Sequence, residues 1–288
     1  MYTGRTGPPQ RLRELGEAIP RCNATMVKRG FVEVEGGRLQ WDSSGEGRPV
    51  VFLHGFTFDR RLWDPQLTSL SSSLQVVRYD LRGFGASTAP IGPYRNIDDL
   101  RELLARLGIE RPVLVGLSLG ANIALPYAIK HPGAVAGLIL ASPGLPGHHW
   151  KVQRPVEAVA DYAMSHDIEE TKQFWLAHPT FASLSRYPRA RAVVEAMVRD
   201  YSGWHWRSAD LQQPGPDIRG GLAGLGVPTW VVSGDLDVEG YREIATEIAA
   251  TVPGARLVRY REAGHVMSLE QPEKFSAHVL EFVRGLAA

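Results

Sequence analysis

The stretch Val113-Leu-Val-Gly-Leu-Ser-Leu-Gly-Ala121 constrains the fold of this chain more than any other. An apolar, partly β-branched run breaks at Gly116-Leu117-Ser118-Leu119-Gly120. It gives way to Ala121-Asn-Ile-Ala-Leu-Pro-Tyr-Ala-Ile-Lys130, a helix-like segment stopped by His131-Pro132-Gly133. The order predicts a strand, a sharp turn and a helix. Gly116 and Gly120 lie two positions either side of Ser118 and remove the Cβ atoms that would clash where the chain passes close to itself. Such a turn lifts a serine Oγ clear of a sheet and aims the next backbone N–H groups at the same point.

The rest of the chain repeats the theme. Gly30 to Trp41 alternates apolar and polar residues around Gly36-Gly37, the pattern of a β-hairpin at a sheet edge. Pro49 to Leu53 is a short continuous apolar run, as expected of a strand buried on both faces of a parallel sheet. Leu74 to Tyr79, Pro112 to Gly116, Val135 to Ala141, Pro228 to Ser233 and Ala255 to Tyr260 read the same way. Helical stretches alternate with them. Asn96 is placed to cap one whose Ile97, Leu100, Leu103, Leu104 and Leu107 share a face, with Gly108 as its stop. Tyr241 to Ala250 and Pro272 to Leu286 supply two more. This alternation predicts an α/β fold: a mostly parallel, twisted sheet flanked by helices.

Residues 143–216 interrupt the alternation with several proline joints and four of the seven tryptophans, Trp150, Trp175, Trp204 and Trp206. They read as a helical cap, or lid, inserted between two halves of the core, 28–142 and 217–288. Residues 1–27 form a polar arm, with a short helix expected near Arg11 to Ala18.

At 288 residues, with 44% hydrophobic and 22% charged residues, the chain can bury a sizeable core. A net charge of +1 gives no electrostatic reason to expect nucleic acid or an anionic membrane as partner. The single cysteine, Cys22, has no partner for an internal disulfide and no Cys/His cluster around it for structural zinc. No run approaches the roughly 20 apolar residues of a spanning helix, and the Arg-, Gly- and Pro-rich start has no apolar signal core. The expectation is a cytoplasmic protein.

A serine nucleophile needs a base, and the base needs a group to orient it. Among nine histidines, His265 stands in Glu262-Ala-Gly-His-Val-Met-Ser268, just after the last expected strand, where loops at the carboxyl ends of parallel strands gather site residues. Trp230-Val-Val-Ser-Gly-Asp-Leu-Asp237 offers Asp235 and Asp237 as the orienting acid, and spacing alone does not choose between them. Backbone N–H groups can hold the charge that develops on a carbonyl oxygen. Leu119 N–H and Phe56 N–H, the latter in the loop Leu53-His-Gly-Phe56, are the candidate donors. The Phe56 ring either walls a pocket or packs into the core. Trp150 and Trp175 are candidate substrate contacts, with packing inside the insertion as the ordinary alternative. His148, His149, Lys151 and Arg154 at the start of the insertion read either as a solvated face or as a site for an acidic substrate.

Taken in order, Leu53-His-Gly-Phe56, Asp80-Leu-Arg-Gly-Phe-Gly-Ala-Ser87, Gly116-Leu-Ser-Leu-Gly120, Gly234-Asp-Leu-Asp237 and Gly264-His265 resemble the α/β-hydrolase family over roughly residues 28 to 286. The resemblance implies the α/β-hydrolase fold and a triad in the order Ser118, Asp237, His265. The family spacing after the strand-ending glycine selects Asp237 over Asp235, and it makes the Asp80 to Ser87 turn structural. Serine at the elbow sets the chain apart from relatives that attack through aspartate there. The activity implied by the resemblance is cleavage of a carboxylic ester or lactone of a small-molecule substrate without metal or organic cofactor. Within the family the chain looks most like lid-bearing esterases, enol-lactonase-like proteins and cofactor-free haloperoxidase or perhydrolase relatives. Two other functions share these features: carbon–carbon bond hydrolysis or lysis on the same triad, and ligand sensing on a hydrolase scaffold.

Overall fold

The computed structural model describes Met1 and residues 26–286. Cys22, the helix expected near Arg11 to Ala18 and all of the polar arm except Met1, Met26 and Val27 lie outside the described residues. Eight strands form one sheet: β1 (Lys28–Val34), β2 (Gly37–Ser44), β3 (Pro49–Leu53), β4 (Gln75–Tyr79), β5 (Val113–Leu117), β6 (Gly137–Ala141), β7 (Thr229–Gly234) and β8 (Arg256–Tyr260). Their spatial order is β1-β2-β4-β3-β5-β6-β7-β8. The hairpin expected around Gly36-Gly37 is β1 paired antiparallel with β2 at the sheet edge. β2 also runs antiparallel to β4, and every later pairing is parallel.

Burial explains why the central strands carry continuous apolar runs. Every residue of β5 and β6 is buried, so alternate side chains on both faces of the sheet are covered. Val113, Leu114, Leu138 and Leu140 have no solvent exposure. Removing each such side chain from water contributes about 1.5–3 kcal/mol. By contrast, Val32 is the one buried residue of β1, which lies at the sheet edge. Helices Asn96–Leu107 and Ala121–Lys130 pack on each other, as do Asp64–Leu70 and Pro272–Gly285.

One expected cap is corrected. Arg95 occupies the N-cap of the helix Asn96–Leu107 and makes no side-chain cap bond, while Asn96 is already helical. The Asn96 amide instead donates to Gln212 Oε1 at 2.8 Å, a tie to the segment after the insertion helices that outweighs local capping. The C-terminal stop is as expected, with Gly108 left-handed at φ 64°.

Between β6 and β7 the chain forms helices at Pro155–Ala163, Ile168–Leu176, Pro188–Asp200 and Trp204–Arg207, with a 3-10 stretch at Pro179–Arg186. Asp167 opens the second with a capping box: its side chain accepts from Glu169 and Glu170 N–H, and Glu170 reaches back to the Asp167 N–H. Val159, Phe181, Leu184, Val194, Met197 and Trp206 are buried, so these pieces share the apolar core.

Candidate active site

Parallel register brings the relevant loops together. Leu53, the last residue of β3, lies opposite Gly116 of β5, so the loop His54 to Thr57 leaves the sheet beside the turn carrying Ser118. Gly234 at the end of β7 pairs with Tyr260 at the end of β8, which sets the Asp237 and His265 loops side by side.

Ser118 has φ 53°, a left-handed backbone that a side-chain-bearing residue adopts only under tertiary constraint. The constraint is visible. Ser118 N–H donates to Ala141 O at 2.8 Å, and Asn122 N–H donates back to Ser118 O at 3.0 Å. A Cβ at Gly116 would stand 2.4 Å from Ala121 N, and one at Gly120 would stand 2.1 Å from Leu53 O. Both glycines are therefore required by close backbone approach, as expected from their spacing.

The loop after β3 is fixed by His54. Leu81 N–H donates to its Nε2 at 2.9 Å, so its proton sits on Nδ1, which donates to Gly55 O at 2.8 Å. Burial pushes the His54 pKa down, which keeps the imidazole in this neutral form. Among the described residues, neither Phe56 N–H nor Leu119 N–H has a hydrogen-bond acceptor. The Phe56 ring sits edge-on to Phe84, Trp175, Tyr201, His205 and Trp206, with centroids 5.8–6.1 Å away. Four of those five rings come from the insertion, so Phe56 is a packing contact between insertion and core. Trp175 is buried, donates through Nε1 to Thr57 Oγ1 at 2.8 Å and packs on Phe181. Trp150 is half-buried and lines a cavity of about 460 Å³ together with Leu119.

Of the two aspartates, Asp235 is exposed and Asp237 is buried against His265. His265 Nδ1 lies 3.0 and 3.1 Å from the two Asp237 oxygens. The same carboxylate accepts from Ser142 Oγ at 2.7 Å and Val238 N–H at 2.8 Å. Geometry thus pairs Asp237, and not the exposed Asp235, with His265.

Two further residues escaped the sequence reading. Tyr241, buried in the first turn of the helix Glu239–Thr251, lays its ring 4.5 Å from that of His265, and its hydroxyl interacts with the Ser118 side chain. Burial pushes its pKa up to about 12, so it is a neutral phenol. Ser118 and His265 thereby meet on one side chain. Glu270, also buried, accepts from Gly264 N–H and, at 3.3 Å, from Val266 N–H, the two residues that flank His265. Its third donor is Ser183 Oγ of the insertion at 2.9 Å. Neither carries a local signature: Tyr241 reads as a core residue of an amphipathic helix, and Glu270 as a helix-end acid. The Asp80 turn is structural, its carboxylate accepting from Arg60 and Ala86 N–H at 2.8 and 2.9 Å. Among the described residues no His/Cys/Asp/Glu group is arranged to hold a metal ion, and no helix is long and apolar enough to cross a membrane.

Residues 50–278 match the model of the Alpha/beta hydrolase family. The chain is 30% identical over 233 residues to the 2-succinyl-6-hydroxy-2,4-cyclohexadiene-1-carboxylate synthase of Salmonella heidelberg (strain SL476), covering 77% of this chain and 88% of that one. A thermophilic esterase from Thermogutta terrifontis, solved with malate bound, is similar at TM-score 0.76 and 28% identity over 89% of this chain and 98% of its own. The enol-lactonase from Burkholderia xenovorans LB400 gives TM-score 0.77 and 25% identity over 88% and 100%.

Proposed function

The chain belongs to the alpha/beta hydrolase family, and from that premise we propose that it cleaves a carboxylic ester or lactone through Ser118, His265 and Asp237. The observation that carries this reading is the buried Asp237 carboxylate on His265 Nδ1, together with a serine held at positive φ between two obligatory glycines. Asp237 orients the imidazole with Nε2 free to accept a proton and stabilises the imidazolium that follows.

Ser118 Oγ gives up its proton to His265 Nε2 and bonds to the substrate carbonyl carbon. The carbonyl oxygen takes the displaced electron pair and is held by Phe56 and Leu119 N–H, the two donors without acceptors in the resting site. His265 then protonates the leaving oxygen as the carbon–oxygen bond breaks, leaving an acyl-serine. In the second half, water loses a proton to His265 and attacks the acyl carbon, and the Oγ–carbon bond breaks with return of that proton to Ser118. The sum is one ester bond and one water consumed, one acid and one alcohol formed. In a lactone the alcohol stays on the acid. The insertion acts as the cap over this site, and Trp150 is its substrate contact at the cavity wall.

The esterase and enol-lactonase neighbours support the ester or lactone reading. The Salmonella relative is a synthase, and the second reading is carbon–carbon bond hydrolysis or lysis on the same triad, in which the same base removes a substrate proton without an acyl-serine. Intact-mass analysis after fluorophosphonate treatment tests the nucleophile. A single adduct on the native chain, absent from Ser118→Ala and His265→Ala, is expected. A folded native chain without adduct refutes it. Rapid quenching with a slow ester then separates the two readings, because only the first accumulates an acyl-enzyme.

A further inference from the structure

The 460 Å³ cavity beside Leu119 holds charge that the reaction above leaves unused. Its walls include apolar Ile123, Leu145 and Trp150. Two guanidinium groups join them from separate parts of the chain. Arg95 immediately precedes the core helix Asn96–Leu107, and Arg154 precedes the first insertion helix. Glu157 is the one carboxylate lining this cavity, so its walls carry two fixed cations against one anion.

The four basic residues that open the insertion divide once their partners are known. Lys151 reaches Glu239 and Glu243 at 2.9 and 2.8 Å, His148 lies 3.4 and 3.7 Å from Glu243 and Glu247, and His149 is exposed. Lys151 and His148 thus lie against the acidic residues of the helix Glu239–Thr251, and His148 also lines the cavity. Arg154 faces the cavity, with only a loose pair to Glu157 at 3.9 Å. Arg95 is similarly underused: Nε donates to Pro214 O at 3.1 Å, and its pair with Asp98 is 3.7 Å long, while Asp98 is held more closely by Lys130 at 3.1 Å. Leu119, which directly follows Ser118, lines the same cavity, so the cationic wall opens beside the turn that carries the nucleophile.

Resting on the ester or lactone reading, we propose that this cavity is an acyl-chain subsite in which Arg154 and Arg95 bind a second carboxylate, making half-esters and carboxy-lactones the substrates. A guanidinium offers paired N–H donors that match a carboxylate and stays charged throughout the working range. The apolar residues that line the same cavity suit the methylene chain joining the two carbonyl groups.

Monomethyl esters of the straight-chain dicarboxylic acids from three to eight carbons, each compared with the methyl ester of the monocarboxylic acid of equal length, test this. The expected result is an optimum length at which kcat/KM for the anionic ester exceeds that of its neutral match by about tenfold or more, mainly through KM, with the ratio falling as salt rises. Arg154→Gln should collapse that ratio, Arg95→Gln reduce it, and Arg154→Lys keep part of it, each with a native-like thermal transition. A native chain labelled at Ser118 by fluorophosphonate but indifferent to the second carboxylate overturns the subsite and leaves the hydrolase reading standing. A preference that survives in the Arg95→Gln/Arg154→Gln double variant overturns the assignment to these arginines. A folded chain that is neither labelled nor active on any ester removes the hydrolase reading and this inference with it.

Discussion

Acid should loosen the insertion from the core through one histidine. His205, in the short helix Trp204–Arg207, stacks on Phe84 with centroids 4.3 Å apart and planes at 15°. Its Nδ1 accepts from the Tyr201 hydroxyl at 2.8 Å, and its ring forms one wall of the box around Phe56. Burial pushes its pKa from 6.5 down to about 4, with Asp210 opposing and His54 adding to the shift. Between those values the unfolded chain binds a proton that the native site refuses, so stability falls as pH falls through the window. The full effect is about 3 kcal/mol, of which about 2 kcal/mol is lost between pH 7 and pH 4.5. Urea unfolding of the native chain and His205→Gln at both pH values isolates it, because His54, His131, His178 and His278, also pulled down by burial, contribute to both proteins alike. The variant starts less stable, having lost the stack, but should lose about 2 kcal/mol less on acidification. Parallel losses in the two proteins would refute the reasoning. The functional corollary is local, since the same rings hold Phe56, whose N–H is assigned to the oxyanion.

Two further substitutions probe the site's supports. Glu270→Gln keeps one acceptor oxygen but turns an amide N–H₂ toward donors at Gly264, Val266 or Ser183, which should cost about 2 kcal/mol of stability and slow acylation because the loop carrying His265 loses its anchor. Unchanged urea midpoint and acylation rate would show that the carboxylate is dispensable there. Gly120→Ala places a Cβ 2.1 Å from Leu53 O, a backbone atom that cannot yield, and should cost about 3 kcal/mol or more, whereas Gly226→Ala meets nothing within 4 Å and should stay within about 0.5 kcal/mol of native. Equal stabilities by thermal or urea unfolding would contradict the close-approach account of the elbow.

The range of the forces involved decides which features are legible in the chain alone. Buried parallel strands announce themselves because both faces need apolar side chains, so all eight strands lie where apolar runs or alternation placed them, with ends shifted by no more than three residues. The elbow is legible for a related reason: Gly116 and Gly120 answer to backbone atoms at the turn itself or on the neighbouring strand, and the requirement leaves a mark at fixed spacing. Asp237 needed more than spacing, because Asp235 two residues away is chemically equal and differs only in which way the loop turns it. Tyr241 and Glu270 were illegible since their roles arise where separate elements meet, and no pattern within either helix records the partner. The basic residues at the start of the insertion show the same limit most sharply. As a string, His148, His149, Lys151 and Arg154 are one basic patch. Glu239 and Glu243, far downstream on another helix, pair with Lys151 and leave Arg154 for the cavity. Bond-making chemistry depends on short-range geometry, which sequence motifs encode. The proposed choice of substrate depends on which charges remain uncompensated after folding, and those pairings form only when the insertion packs on the core.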